Sequence, residues 1–414
     1  MKQALLLYIC VIASLLGLSS CSSDDDYSPI ENSIGLPGDT LQQTIVIYMA
    51  GENSLAVFIQ LDSTEIAAAL PLMDEDCRVV VFIDDCQSSR ICVGTHDTEL
   101  QTALTYPTNI CATDSAAMSN VLSYIFTTYP ARHYGLVLWS HASGWVFQKS
   151  PSKTKRQSFG IDNGQRRNDL NTGLQMDIPI LANVLRLQPH LDYIFFDACF
   201  MMCVEVAYEL RDVASYIAGS PAEIPGDGAP YNTVLPALSN NSISPLQRIT
   251  DAMQAYSDFY TTGPGYYTYR GAELSIADTQ YLESLMEASS PIIQQLLADR
   301  SRPNTSSTQP YCMSSRSTTY TEFFDMQHLF YNNLPNDEYA SWLQALKAAV
   351  PATWLSVQWF TNTNWAHFET LRDKENSGGI SLFVPSEYYS SLGWTESYKK
   401  LQWAQDTGFD QTGW

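Results

Sequence analysis

The chain has 414 residues, of which 45% are hydrophobic, so it can bury a large core in one or two domains. Its 22 Lys and Arg residues are outnumbered by 44 Asp and Glu residues, for a formal net charge of −22. Because this charge is repelled by phosphate backbones, we expect no nucleic-acid partner. The charge fits a soluble surface or a site that attracts cationic substrates.

The first residues are predicted to be a targeting signal. Lys2 precedes an apolar stretch, residues 4–18, that is too short to span a bilayer comfortably. Small residues then lead to Cys21, a pattern similar to a bacterial lipobox, in which the signal is removed and the cysteine is acylated; an ordinary signal peptide with an incidental cysteine is the alternative. We expect a signal peptide at residues 1–20, a flexible tether at 21–42, and an outer-membrane lipoprotein. The acidic run after Cys21 extends this expectation to the cell surface.

Strand and helix patterns alternate through residues 43–240, where we expect the core of the protein. Asp114 is predicted to cap one of the helices. Apolar strand runs alternating with helices indicate an α/β fold with a mainly parallel sheet covered on both faces. Residues 241–414 are expected to be a C-terminal extension packed on that core, or a separate subdomain. The predicted strands are residues 44–48, 78–83, 135–139, 193–196, 215–219, 272–276 and 379–384; the predicted helices are 55–70, 114–128, 177–187 and 200–211.

Two predicted strands run into residues that can do chemistry. One leads through Ser140 into His141, and another leads through Asp197 into Cys199. Ligands of open α/β sheets bind beyond the carboxyl ends of the strands, where a thiol and an imidazole could work together. A helix starting near Cys199 would lower the pKa of its thiol. The alternative is a small buried cysteine and a surface histidine with no shared role.

The combined motifs resemble one family of enzymes. The sequences W-S-H-A-S-G-W at 139–145, D-A-C at 197–199 and E-V-A-Y-E-L-R at 205–211 look like the clostripain family of cysteine peptidases. The resemblance implies a caspase-like αβα sandwich, shared with caspases, gingipains and legumain. It implies that Cys199 attacks the scissile carbonyl, that His141 protonates the leaving amine, and that the N–H groups of Ala142 and Cys199 hold the oxyanion. The family usually has glycine at position 142, and alanine costs more if the turn needs a positive φ.

The same resemblance implies cleavage after Arg or Lys, which needs an acidic S1 pocket. Asp197 and Asp227 are the candidates for that pocket, with Glu223 as a third choice. The alternatives are a structural hydrogen bond for Asp197 and turn chemistry for Asp227. The basic stretch ending in Lys155 and Arg156 suggests activation by self-cleavage, although a solvated loop would have the same composition.

No cofactor is required by this chemistry, but some relatives use calcium. The Asp84–Asp85 pair at a strand end could bind Ca²⁺, and no zinc pattern is found. Cys86 and Cys92 could close a small disulfide loop. We expect a monomer that cleaves proteins or peptides with basic P1 residues and is held at the membrane through Cys21. The alternatives are a catalytically silent peptide-binding lipoprotein with the same fold, and an adhesion lipoprotein with an unrelated α/β fold.

Overall fold

The computed structural model describes residues 30–31, 40–146, 158–164, 173–311, 322–361 and 368–414. In this part of the chain a ten-stranded sheet forms the centre. Neighbours among its five middle strands are parallel, and the remaining pairs are antiparallel. From edge to edge the strands are β1 (Ile30–Glu31), β5 (Thr98–Thr105), β4 (Ser89–Thr95), β3 (Cys77–Asp84), β2 (Leu41–Ala50), β6 (Ala131–Trp139), β9 (Leu191–Asp197), β10 (Ala214–Gly219), β11 (Leu274–Asp278) and β14 (Ala352–Trp354).

Both faces of this sheet are covered, which explains the continuous apolar runs of its strands. In β2, Ile45 and Ile47 pack into one core, whereas Val46 and Tyr48 pack into the other. One core is closed by α1 (Ile59–Ala69), α5 (Tyr231–Leu238) and α6 (Pro245–Thr261). The other is closed by α2 (Ser115–Thr128), α3 (Ile178–Arg186), α4 (Val204–Glu209) and α8 (Leu282–Leu297). The predicted αβα sandwich is therefore confirmed.

Smaller elements surround the sandwich. The remaining helices are α7 (Tyr266–Tyr269), α9 (Met326–Asn333), α10 (Asn336–Ala349), α11 (Glu387–Ser391), α12 (Trp394–Tyr398) and α13 (Gln402–Asp406). The remaining strands form small sheets: β7 (Phe159–Asp162) with β8 (Leu174–Met176), β12 (Pro310–Tyr311) with β13 (Phe323–Asp325) and β17 (Ser381–Phe383), and β15 (Gln358–Phe360) with β16 (Phe368–Thr370). None of the described helices is long and apolar enough to cross a membrane.

The C-terminal part of the chain is built into the central sheet. It supplies β11 and β14, and α6 packs on α5 across the boundary expected near residue 240. It also reaches the segment after Cys199, because Ser381 N–H donates to Met202 O at 3.0 Å and Phe383 N–H donates to Glu205 Oε1 at 2.8 Å. The C-terminal residues therefore support the edge of the sheet where the candidate site lies.

The sequence also suggested a helix cap at Asp114 and a disulfide between Cys86 and Cys92. Asp114 caps α2 as predicted, since its carboxylate accepts hydrogen bonds from the first turn of the helix. The disulfide loop that Cys86 and Cys92 could close is not formed in the structure.

Candidate active site

His141 and Cys199 leave neighbouring parallel strands at the same level. Trp139 at the end of β6 is paired in register with Asp197 at the end of β9. His141 and Cys199 each come two residues later. Since adjacent strands lie about 4.8 Å apart, this register brings the two predicted residues to one edge of the sheet.

The imidazole of His141 is half-buried and has a defined partner. Its Nε2 lies 2.9 Å from Oγ of Ser54, an exposed serine in the 3₁₀ turn Ser54–Val57. Burial lowers the pKa of His141 to about 4. The free protein therefore holds a neutral imidazole near pH 7.

The thiol of Cys199 lies against the loop after β10. Ile224 N–H points at Sγ at 3.4 Å, and Sγ lies 3.8 Å from Ile224 O. Burial, and then the charge of Glu223, raises the pKa of Cys199 to about 12, although the Ile224 N–H opposes the shift. At neutral pH the two side chains are thus a thiol and a neutral imidazole.

The prediction that a helix begins near Cys199 is wrong. Phe200 has a positive φ of 63°, and α4 begins only at Val204. The intervening backbone bonds to a distant segment instead: Phe200 N–H donates to Ala222 O, and Met202 N–H donates to Ser220 O, both at 3.0 Å. A helix N-terminus therefore does not lower the pKa of this thiol. The turn is held by the loop after β10.

Ala142, the predicted oxyanion donor, forms a bridge with Phe159 in which its own N–H takes no part. The bridging bonds are Ser143 N–H to Ser158 O at 3.0 Å and Gly160 N–H to His141 O at 2.9 Å. Ala142 is not among the residues with positive φ, whereas Gly144 has a φ of 68°. The turn therefore requires a positive φ at Gly144 and not at position 142, so alanine at position 142 carries no backbone strain.

Asp197 is deeply buried at the end of β9. Its side chain is 3% exposed, and its oxygens accept hydrogen bonds from Ala229 N–H at 3.1 Å, Tyr231 Oη at 2.8 Å and Tyr256 Oη at 3.4 Å. Burial raises its pKa to about 6 despite these donors. Asp227 is half-buried in the loop after β10 and accepts a hydrogen bond from the Tyr269 hydroxyl.

Two acids that the sequence analysis did not single out lie beside this pair. Tyr231 links Glu65 to Asp197, since its N–H donates to Glu65 Oε2 at 2.9 Å. Asp62, one turn earlier on α1, is fully buried, and neither of its oxygens has a hydrogen-bond partner among the described residues. Burial, and then the charges of Asp197 and Glu65, raises the pKa of Asp62 to about 9. We refer to Asp62, Glu65, Asp197 and Asp227 as the acidic cluster.

Comparison with known proteins identifies the family. A model described as the clostripain family matches residues 47–414. The chain belongs to the clostripain family. It is similar to a secreted C11 cysteine protease from Bacteroides thetaiotaomicron, solved with an irreversible peptide inhibitor: the identity is 25% and the TM-score 0.73, over 89% of this chain and 99% of that chain. No curated protein matches the chain.

Two further solved structures resemble this clostripain-family protein. An inactive zymogen C11 protease from Parabacteroides distasonis has 23% identity and a TM-score of 0.71, over 89% of this chain and 99% of that chain. A B. fragilis cysteine protease has 30% identity and a TM-score of 0.52, over 58% of this chain and 96% of that chain. The protein is therefore a cysteine peptidase with a caspase-like fold, as its motifs predicted.

A second group of acids in this clostripain-family peptidase lies at the ends of strands β2, β3 and β7. One carboxylate oxygen each of Glu52, Asp84 and Asp162 lies within 4.8 Å of the others, and all three side chains are buried. Asp85 does not join them: it forms an ion pair with Arg90 at 2.8 Å. Of the Asp84–Asp85 pair that could bind calcium, only Asp84 therefore belongs to this group.

Three predicted sites lie outside the described residues. They are the lipidation site Cys21 and the processing residues Lys155 and Arg156. Sequence reasoning also missed Ser54, Asp62 and Glu65. Their only signal was their position just after the first central strand of the sheet, since each is a common residue type in a helix or turn.

Proposed function

We propose that this cysteine peptidase cleaves peptide bonds through Cys199 and His141. The observation that carries the proposal is the pairing of Trp139 with Asp197. Because of this register, His141 and Cys199 follow the ends of adjacent strands at the same level. The Cys199 turn is held by the loop after β10, and the His141 turn is held by Gly160 N–H. Both side chains are half-buried, as a site that excludes most water and admits a peptide requires.

In the proposed reaction, Sγ attacks the scissile carbonyl carbon as the thiol proton passes to His141. A carbon–sulfur bond forms, and the carbonyl oxygen becomes an oxyanion near the N–H groups of Ala142 and Cys199. The carbon–nitrogen bond then breaks as His141 returns the proton to the leaving amine. Water hydrolyses the thioester and restores the thiol.

We further propose a preference for Arg or Lys at P1. Among the described residues, no Lys or Arg forms an ion pair with the acidic cluster. Asp227 is half-buried and therefore more accessible than Asp197, and neither oxygen of Asp62 has a hydrogen-bond partner among the described residues. Carboxylates buried without a cation favour a substrate that supplies one.

A fluorogenic peptide assay tests the function. Wild type should release dye from peptides with P1 Arg or Lys, and Cys199→Ala should abolish the release. Cys111→Ala, which removes another half-buried free thiol, should leave activity intact. If wild type binds these peptides without cleaving them, the protein is instead a catalytically silent peptide binder.

Self-activation near Lys155 or Arg156 is also proposed, from the basic composition of that stretch in an acidic chain. Intact mass should show a cut chain for wild type and an uncut chain for Cys199→Ala. A double variant, Lys155→Ala with Arg156→Ala, should stay uncut while retaining the nucleophile. Identical masses for wild type and Cys199→Ala would reject self-cleavage.

We propose that the mature protein is held at the outer membrane by lipid on Cys21, on the basis of the lipobox-like sequence. We also propose that it is a monomer. Radiolabelled palmitate should enter wild type and not Cys21→Ala. The variant should move from the membrane fraction to the soluble fraction. Equal labelling of the two proteins would rule the anchor out.

We propose that Ca²⁺ binds to the carboxylates of Glu52, Asp84 and Asp162. Carboxylate oxygens are the donors Ca²⁺ prefers, and burial together with the Asp162 charge raises the pKa of Asp84 well above its usual range. A bound ion would neutralise these acids and stiffen the loops beside His141. Calorimetric titration with CaCl₂ should show binding to wild type and weaker binding to Asp162→Asn. No heat of binding for wild type would exclude this site.

A further inference from the structure

Ser54 contacts His141 although neither the motifs nor the family comparison assigns it a role. Its Oγ lies 2.9 Å from Nε2 of the imidazole. The serine itself is exposed. The contact joins the first loop after β2 to the loop that carries His141.

The geometry of this contact is held by the residue before Ser54. Asn53 is fully buried, and its amide donates to Ala50 O and Ile161 O, both at 2.9 Å. Its Oδ1 accepts a hydrogen bond from Leu55 N–H at 2.8 Å, which caps the 3₁₀ turn. Asn53 thus fixes the backbone that presents Ser54.

The His141 loop is tied to the same atoms. Ser140 Oγ donates to Ala50 O at 2.7 Å and lies 3.3 Å from the N–H of Ile161. Ser140 and Asn53 therefore share Ala50 O as an acceptor and both engage Ile161. Because both loops are hydrogen-bonded to the backbone of Ala50 and Ile161, the Ser54 hydroxyl and the His141 imidazole are held in contact.

We propose that Ser54 is a positioning residue for His141: its Oγ accepts a hydrogen bond from Nε2–H and leaves Nδ1 free to exchange protons with Cys199 and the leaving amine. The inference rests on the function proposed above. A neutral imidazole carries one N–H, and the partner of one nitrogen decides which nitrogen can accept a proton. Fixing Nε2–H on Ser54 gives the ring the tautomer that the reaction needs.

The test compares Ser54→Ala with Ser54→Thr in the full chain. A lost hydrogen bond of about 1.4 kcal/mol corresponds to roughly a tenfold change in rate, so Ser54→Ala should lower kcat about tenfold with KM nearly unchanged. Ser54→Thr keeps the hydroxyl and should restore most of kcat. Ser391→Ala, at another exposed serine that bonds a backbone carbonyl, is the matched control and should match wild type.

A spectroscopic measurement makes the test independent of activity. Long-range ¹H–¹⁵N spectra report the tautomer of each of the six histidines, and His141→Gln assigns the signal. Wild type should show the Nε2–H form at neutral pH, and Ser54→Ala should show a mixture with the Nδ1–H form. An unchanged tautomer in Ser54→Ala, or an unchanged kcat while Cys199→Ala is inactive, would overturn the role of Ser54 and leave the proposed peptidase intact. Wild type without Cys199-dependent cleavage would instead reject the proposed function.

Discussion

Trp139 and Asp197 lie opposite each other in two neighbouring parallel strands, and each is two residues short of a reactive side chain. The pairing does more than align backbones. Asp197 is the most buried of the candidate S1 acids named from the sequence, and after burial its charge is the largest cause of the raised pKa of Asp62. The same pair of strand ends therefore borders both the proposed dyad and the acidic cluster.

Removing single acids should change the choice of substrate more than it changes the chemistry. Asp227→Asn and Asp62→Asn should each lower kcat/KM for P1 Arg by roughly 30-fold or more, since the guanidinium loses a carboxylate partner worth about 2 kcal/mol or more. Asp62 supplies its charge only once the bound cation displaces its proton. A peptide with P1 citrulline, which lacks the charge, should lose far less. Asp410→Asn, at an exposed acid, is the control. Equal losses for Arg and citrulline peptides would contradict an S1 role.

Alkylation of the free enzyme should depend steeply on pH. With the pKa of Cys199 raised to about 12, the thiolate fraction increases about tenfold per pH unit between 7 and 9, and the iodoacetamide rate should increase in proportion without a plateau. Glu223→Gln removes the largest charge that opposes ionisation and should speed alkylation at pH 8. A rate that is flat from pH 6 upwards would mean that a thiolate–imidazolium pair already exists.

The turn after His141 should tolerate change at position 142 and not at position 144. Ala142→Gly should keep activity, because Ala142 has no positive φ. Gly144→Ala should lower stability by about 1–2 kcal/mol, since a left-handed residue would carry a Cβ that lies 3.2 Å from Phe200 O and 3.3 Å from Cys203 Sγ. Thermal unfolding and peptide cleavage measure both effects. A fully stable and active Gly144→Ala would show that the turn can relax.

Asp62 should make the protein less stable as pH rises. Its pKa is raised from 3.8 to about 9 in the folded chain, so the folded state holds its proton more tightly than the unfolded state does. The stabilisation is fully present below about pH 4 and is lost progressively towards pH 9, at about 1.4 kcal/mol per pH unit.

Asp62→Asn keeps the shape and the neutral state, so its thermal unfolding curve should vary less between pH 5 and 8 than that of wild type. The variant should melt higher than wild type at pH 8 while cleaving P1 Arg peptides poorly. This outcome would mark a carboxylate retained for function at a cost in stability. Parallel pH profiles for the two proteins would show that Asp62 does not titrate in this range.

The sequence predicted the central strands well because strands buried on both faces are apolar at every position. It also placed His141 and Cys199 at strand ends, where the resemblance gave them roles. It missed the turn from Phe200 to Cys203, since these apolar residues fit a helix and their hydrogen bonds go to residues 220–222 far along the chain. Asp62 could not be recognised for a similar reason: an acid on a helix is usually exposed, and only the packing of α1 against α5 buries it.

Strand β6 lies before residues 147–157 in the chain and strand β9 lies after them, yet the two strands are direct neighbours in the sheet. Hydrolysis at Lys155 or Arg156 would turn the chain into a heterodimer whose two subunits share one sheet across this strand pair. The imidazole would belong to one subunit and the sulfur to the other. Strong dilution or mild denaturant that parts the subunits would then silence the enzyme, because it would separate the imidazole from the sulfur.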